Sequence, residues 1–122
     1  MTLNPHPLQT PKQLLGKAGE QKATKFLQSR GYRIHTVNFH SKFGEIDIIA
    51  QEGLEIVFVE VKTRTHSDVI HPSEAVDEAK INRIIQTGIQ YLEQNNINLD
   101  FRCDIVTILP NSIEHFENVT FE

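Results

Sequence analysis

The segment GEIDIIAQEGLEIVFVEVK, residues 44–62, constrains the fold most, because it contains two runs of branched apolar residues separated by Gly53. Such runs are typical of paired β-strands. Both alternating sets of side chains in the second run are apolar at first, which is typical of an interior strand covered on both faces. Asp47, Glu60 and Lys62 interrupt this apolar sequence. Because burying a charge is costly unless it is compensated, these residues are candidates for a specific role.

A two-residue turn at Glu52–Gly53 predicts how these charges are arranged. Counting outward from that turn places Asp47 opposite Phe58 and Glu45 opposite Glu60. Side chains that lie directly opposite each other share one face of a sheet. The prediction is therefore that four charged residues converge on one face: Glu45, Asp47, Glu60 and Lys62.

Carboxylates gathered in one cluster repel each other, and a hard divalent cation that takes oxygen ligands from several of them relieves that repulsion. Asp47, Glu60 and the main-chain carbonyl of Val61 would supply such oxygens, and Mg²⁺ fits them best. A metal held there would polarise a phosphate oxygen and activate water, while Lys62 would stabilise the developing negative charge. The pattern favours phosphodiester hydrolysis. A Glu60–Lys62 salt bridge at a strand end is the simpler alternative that the spacing leaves open.

A helix is predicted from Thr10, which can cap it together with Gln13, to Gly31. Its predicted buried face consists of Leu15, Ala18, Gly19, Ala23, Phe26 and Leu27. Glu20 falls at the rim of this face, where it could reach a neighbouring site or remain solvated.

The remaining pattern predicts the order α-β-β-β-α-β-β, an α/β fold with a mixed sheet covered by helices. A strand is expected at 32–39, a helix from 72–73 to 95–96, a strand at 101–109 and a weaker one at 113–121. Residues 1–9 are expected to form a flexible tail and residues 10–122 a single domain.

The chain has 122 residues, a net charge of −4 and a single cysteine, Cys103, so no disulfide framework can form. Residues 1–64 contain nine Lys and Arg against six Asp and Glu, whereas residues 65–122 contain three against ten. A polyanion would therefore meet the first half. We expect a cytoplasmic protein without a membrane partner, since no basic leader or long apolar run is present.

Other reactive side chains are weaker candidates. His66 and His71 flank Asp68 in a polar segment, where exposed loop histidines are more common than a transition-metal site. Cys103 lies within an apolar strand and is interpreted as a core residue rather than a nucleophile.

Several longer stretches, spread from Gly16 to Val106, carry a further pattern. They are GKAGEQKATKFLQSRGYRI, Asn38, GEIDIIA, VFVEVKTR, PSEAV, Lys80, Tyr91-Leu92 and RCDIV. On these motifs the chain resembles the YraN family of bacterial proteins. Asp47 with Glu60-Val61-Lys62 resembles the PD-(D/E)XK nuclease constellation. The chain departs from the family at His40, at Cys103 and in SDVIH before PSEAV.

The resemblance implies a restriction-endonuclease-like fold, similar to archaeal Holliday-junction resolvases, with a mixed sheet of about five strands. It implies an endonuclease that hydrolyses DNA with Mg²⁺ or Mn²⁺, with branched DNA as one candidate substrate and a homodimer as one candidate assembly. Carried over, it makes Asp47, Glu60 and Glu20 catalytic metal ligands and Lys62 the catalytic lysine. Glu45 becomes a supporting acid behind them.

Four basic residues are candidates for contacts with a nucleic-acid backbone: Arg64, Lys42, Lys80 and Arg83. Each could equally serve solubility on the surface. The main rival to an enzyme is a binding module that recognises a nucleic acid or a protein without cleavage. A third reading is a structural domain whose charges form a buried ion network.

Overall fold

The computed structural model describes residues 8–65 and 78–119. Its elements are α1 (Pro11–Ser29), β1 (Arg33–Ser41), β2 (Gly44–Glu52), β3 (Glu55–Thr63), α2 (Glu78–Gln94), β4 (Asp100–Ile108) and β5 (Ile113–Phe116). The predicted order of helices and strands is confirmed. Most of the predicted N-terminal tail, the predicted start of the second helix, His66, Asp68 and His71 lie outside the described residues.

The five strands form one mixed sheet in the order β1-β2-β3-β4-β5. Strand β2 is antiparallel to both β1 and β3, β3 and β4 are parallel, and β4 and β5 are antiparallel. Strand β3 is therefore central, which confirms the interior position that its apolar sequence predicts.

The two described helices cover opposite faces of this sheet. On the α1 face, Ala23 and Leu27 pack with Val57 and Val59 of β3. On the α2 face, Ile81 and Ile84 pack with residues that include Phe58 of β3. Since neighbouring residues of β3 point to opposite faces, the two clusters share its backbone but not its side chains. The predicted covering of the sheet by helices is confirmed.

Helix α1 has the predicted caps. The Thr10 side chain accepts a hydrogen bond from the Gln13 N–H, and the Gln13 side chain accepts one from the Thr10 N–H, at 3.1 and 2.8 Å. Gly31 has φ +88°, and the N–H of Tyr32 donates to the Leu27 carbonyl at 3.0 Å. This hydrogen bond closes the helix in a Schellman motif. The motif requires a left-handed residue just after the helix, a conformation that glycine adopts readily.

Part of the predicted buried face of α1 is wrong. Gly19, Ala23 and Leu27 are buried, but Ala18 is exposed and Leu15 is 44% exposed. Leu15 instead lines an open pocket at the start of the helix. The helix packs on the sheet along a stripe narrower than its apolar sequence suggests.

The predicted turn between β2 and β3 is also wrong by one residue. Glu52 pairs with Glu55, so Gly53 and Leu54 form the turn, and Gly53 has φ +59°. Glycine at the first central position is what a type II′ hairpin turn requires, whereas the predicted turn would have put Glu52 there. Ile49, and not Asp47, is therefore opposite Phe58. The displacement is two residues along β2, so the alternation of faces is preserved.

Candidate active site

The site begins where the pairing of β2 and β3 ends. The last paired residues are Ile48 and Val59. Beyond them, the Asp47 carboxylate accepts a hydrogen bond from the Val61 N–H at 2.8 Å, in place of a bond between the strands. The N–H and C=O of one strand residue point to the same side, so the Val61 carbonyl faces the same gap. The opened sheet thus brings carboxylate and main-chain oxygens together.

Three carboxylates from three elements line one pocket of about 440 Å³ at this gap. They are Glu20 of α1, Asp47 of β2 and Glu60 of β3. Val61, Arg64 and Lys12 also line the pocket. The structure therefore brings five of the ten site residues predicted from the sequence into one pocket, including the helical acid whose position the sequence left open.

Burial and mutual repulsion make these acids hold protons more tightly. Burial is the main cause that raises the pKa of Asp47 to about 7, and the charge of Glu60 adds to it, while the Val61 N–H opposes it. Burial also raises the pKa of Glu20, against a hydrogen bond from Asn38. A site that gathers partly buried acids in this way is favourable for a cation.

Glu60 is compensated by two lysines. Its side chain is buried, and its Oε1 atom lies 3.2 Å from Lys62 Nζ and 2.6 Å from Lys80 Nζ. Burial lowers the pKa of Lys62 although Glu60 opposes this shift. For Lys80 the effect of burial is outweighed by the ion pair with Glu60, so its pKa is raised. The simple Glu60–Lys62 salt bridge considered from the sequence is thus present, with a second ammonium group added from α2.

Five predicted residues do not line this pocket. Two of them, Lys62 and Lys80, contact Glu60, and the other three lie farther away. Glu45 is exposed and pairs with His40 at 3.4 Å, so the predicted convergence of Glu45 with the other acids is wrong at the level of contacts. Its charge still contributes to the raised pKa of Asp47. Lys42 lies near the Phe43 ring, at 5.2 Å from its centroid, and Arg83 is exposed on α2.

Asn38 lies next to the candidate site, although no role was predicted for it from the sequence. It has φ +53° within β1 and lies between the Val37–Ile48 and Phe39–Ile46 pairs, level with Asp47. Asparagine tolerates this left-handed conformation better than most residues, although it costs free energy inside a strand. Two signals were available: its place among the motifs of the family resemblance, and its position between apolar strand residues.

The donor chemistry fits a hard divalent cation, since Asp47, Glu60 and Val61 offer carboxylate and carbonyl oxygens. Among the described residues, however, no three acidic, histidine or cysteine side chains are already arranged as a complete metal-binding group. Glu60 is held by ammonium groups instead. Both ammonium groups contact Oε1, so a metal that uses Glu60 would bind through Oε2 or displace a lysine from Oε1.

Fold and site together define an α/β domain with a carboxylate and lysine cluster at the open end of a mixed sheet. The chain belongs to Uncharacterised protein family UPF0102, the YraN family, whose sequence pattern matches residues 19–108. The family resemblance predicted from the sequence is confirmed.

Relatives in several bacteria match most of the chain. A UPF0102 protein of Sulfurihydrogenibium sp. is 44% identical over 104 residues, which are 84% of this chain and 90% of the relative. One from Thermotoga maritima is 43% identical over 103 residues, 84% and 94% of the two chains. One from Campylobacter jejuni is 43% identical over 107 residues, 87% and 93% of the two chains.

Among solved structures, Hjc from Archaeoglobus fulgidus, a Holliday junction resolvase, is similar with a TM-score of 0.48 and 18% identity. The similarity covers 84% of this chain and 76% of that one.

Neither α1 nor the described part of α2 is long and apolar enough to cross a membrane.

Proposed function

We propose that this protein is a divalent-metal-dependent endonuclease that hydrolyses DNA phosphodiester bonds. The observation that carries the proposal is the pocket in which Glu20, Asp47 and Glu60 meet at the gap between two strands. A domain that needed only stability would gain little from keeping repelling acids in an open pocket. Branched DNA as the substrate and a homodimer as the active assembly are finer parts of the proposal.

Each residue has a chemical role in this proposal. Asp47, Glu60 and the Val61 carbonyl hold Mg²⁺ or Mn²⁺, and Glu20 completes the ligand set from α1. The bound cation would supply Lewis-acid polarisation of the phosphate and lower the pKa of water. Lys62, kept near Glu60 at 3.2 Å, stabilises the negative charge that develops on the phosphate. Glu45 contributes through its charge, without direct contact.

Basic residues around the pocket would bind the phosphate backbone. Arg64 lines the pocket, and its guanidinium donates to the Thr63 carbonyl at 3.1 Å, which leaves its other N–H groups for a phosphate. Lys80 lies at the inner edge of the site through its contact with Glu60. Lys42 and Arg83 would contact DNA farther from the cleaved bond.

Cleavage of supercoiled plasmid and of a synthetic four-way junction tests the enzyme. With Mg²⁺ or Mn²⁺ we expect the parent protein to cut, and EDTA to abolish cutting. Asp47→Asn and Lys62→Ala should each lower the rate at least about 100-fold, as loss of a transition-state contact does. Asp100→Asn, at the exposed start of β4, is the matched control and should cut like the parent. Equal residual cutting by all four proteins would remove the enzymatic hypothesis.

The pH dependence of stability separates a metal site from a structural ion network. The pKa of Asp47 is about 7, above its ordinary value of 3.8, so ionised Asp47 opposes folding at alkaline pH. This opposition fades as the pH falls below about 7. In thermal unfolding at alkaline pH, Asp47→Asn should therefore be at least as stable as the parent. Mg²⁺ should raise the Tm of the parent but not that of Asp47→Asn. A structural network predicts a less stable variant and no effect of Mg²⁺.

A further inference from the structure

A second groove, of about 510 Å³, runs beside the candidate site between α1 and β1. The α1 side is formed chiefly by Lys17, Gln21, Lys25 and Gln28, and the β1 side by Val37 and Asn38. Glu20 lines both this groove and the pocket of the acids, so the two spaces adjoin at this side chain.

The charge of this surface is opposite to that of the whole protein. Helix α1, PKQLLGKAGEQKATKFLQS, contains four lysines and one glutamate, in a chain whose net charge is −4. Lys17 and Lys25 line the groove, while Lys12 and Arg64 line the adjoining pocket. Positive side chains therefore extend from the acidic cluster in both directions, which complements a polyanion that passes through it.

The spacing of the groove residues suits a nucleic-acid strand. Lys17 and Lys25 are eight residues apart on one helix, a rise of about 12 Å. At roughly 3.4 Å per nucleotide along a duplex strand, this distance corresponds to about three or four phosphates. The exposed amides of Gln21 and Gln28 lie on the same side and can donate hydrogen bonds to phosphate oxygens.

Asn38 joins the groove to the site. It lines the groove together with Glu20, lies level with Asp47 in β1, and acts to lower the pKa of the Glu20 carboxyl. Its backbone is left-handed, with φ +53°, although the register of β1 with β2 is the same on both sides of it. Backbone strain of this kind is found more often at binding and functional sites than within ordinary strands, which supports a role for Asn38 in binding.

We propose that this groove binds the phosphate backbone of the DNA strand that enters the candidate active site, with Lys17 and Lys25 as its main phosphate contacts. Gln21, Gln28 and Asn38 add hydrogen bonds along the same path. This inference rests on the proposed DNA-cleaving function and assigns the direction from which the substrate enters.

Binding of labelled DNA in EDTA, followed by fluorescence anisotropy across a series of salt concentrations, tests the groove without cleavage. The variant is Lys17→Gln/Lys25→Gln, which preserves helix propensity. The matched control is Arg30→Gln/Arg33→Gln, an equal change of charge at exposed residues that do not line the groove. For a duplex, the groove variant should bind about tenfold more weakly, with a salt slope smaller by about 1.8, at 0.9 per phosphate contact.

A cleavage assay separates this inference from the proposed function. At DNA concentrations well above the raised Kd of the groove variant, this variant should regain the single-turnover rate of the parent. If the groove variant binds DNA as the parent does while Asp47→Asn abolishes cutting, the groove proposal fails and the nuclease stands. Equal losses in the groove and control variants would show a nonspecific effect of charge and also overturn it. A parent that binds labelled polyglutamate through this groove, and neither binds nor cuts DNA, overturns both proposals.

Discussion

At the residue scale, the central feature is that one carboxylate oxygen serves two cations. Glu60 Oε1 contacts Lys62 from its own strand and Lys80 from α2. The Glu60 side chain is nearly buried, so an uncompensated charge there would be expensive. The two ammonium groups thus supply the positive charge beside Glu60 that the proposed divalent cation would supply in their place. Lys80 and a metal should therefore compete for Glu60.

Replacement of Lys80 measures this competition. We predict that Lys80→Gln binds Mg²⁺ about fivefold more tightly than the parent, because loss of a partly exposed ion pair is worth about 1 kcal/mol. Isothermal titration calorimetry measures the affinity directly, and the Mg²⁺-dependent rise in Tm provides a second readout. Lys42→Gln, which removes the same charge away from the pocket, should leave the affinity unchanged. Weaker binding of Mg²⁺ by Lys80→Gln would mean that Lys80 holds Glu60 in place for the metal.

The sequence predicted the acids of the site better than their partners. Asp47, Glu60 and Lys62 could be selected because each interrupts an apolar strand, a local property that one segment displays. The Lys80–Glu60 contact depends on how α2 docks against β3, and no spacing within one element reports such a distance. The strained conformation of Asn38 likewise depends on where β1 passes Asp47 and Glu20, beyond what a single strand pattern can indicate.

At the element scale, the ends of helices and the buried faces of strands could be predicted from local sequence, but the register between strands could not. The capping box at Thr10 and the glycine at position 31 fixed both ends of α1. Between β2 and β3, two adjacent two-residue turns were compatible with the same apolar pattern. The need for a positive φ at the first turn residue selects Gly53–Leu54. Beyond the last pair of β2 and β3 a pocket opens, and Leu15 lines this pocket instead of packing on the sheet as the helical pattern predicted.

Close contact of α2 with the central strand yields a prediction about stability. Gly88 of α2 is buried, and a methyl group added there would overlap the ring of Phe58, which is fully buried in β3. Gly88→Ala should therefore lower the free energy of unfolding by about 1–3 kcal/mol, as overpacking does. Urea denaturation followed by circular dichroism measures the change.

The same substitution in α1 is the control for this prediction. A methyl group at Gly16 would meet no atom within 4 Å among the described residues, and alanine favours a helix by about 0.5–1 kcal/mol. Gly16→Ala should thus stabilise the protein slightly. Destabilisation of equal size in both variants would contradict the assigned packing of α2 on Phe58.

At the scale of the whole molecule, a second polar network lies away from the open end of the sheet. Arg102 of β4 donates to Asp104 at 3.0 Å and to Glu55 at the start of β3 at 2.6 Å. Asp104 also contacts His115 of β5 at 2.8 Å. Tyr32, just before β1, accepts a hydrogen bond from Arg102 at 2.8 Å. This network connects the chain segments around β4, whereas the pocket of the acids lies toward the other end of β3.

The two acidic clusters differ in the sign of their effect on folding. In the pocket, burial and repulsion raise the pKa of Asp47. Burial acts on Asp104 in the same direction, but the hydrogen bonds from His115 and Arg102 outweigh it and lower its pKa. Ionised Asp104 therefore stabilises the fold, whereas ionised Asp47 opposes it. Stability and candidate chemistry are separated along the same sheet.

Replacement of Asp104 tests this division. Its lowered pKa means that its contribution is complete at pH values above the ordinary 3.8 and is lost as the pH falls through the lower value in the folded state. Asp104→Asn should lower the free energy of unfolding near neutral pH by about 1.5–3 kcal/mol, because Arg102 and His115 lose a buried charged partner while Arg102 keeps its ion pair with Glu55. Urea denaturation across the acid range should also show a weaker pH dependence than in the parent. Asp100→Asn, exposed on the same strand, should change neither quantity, and an equally small effect of both variants would show that the network contributes little to stability.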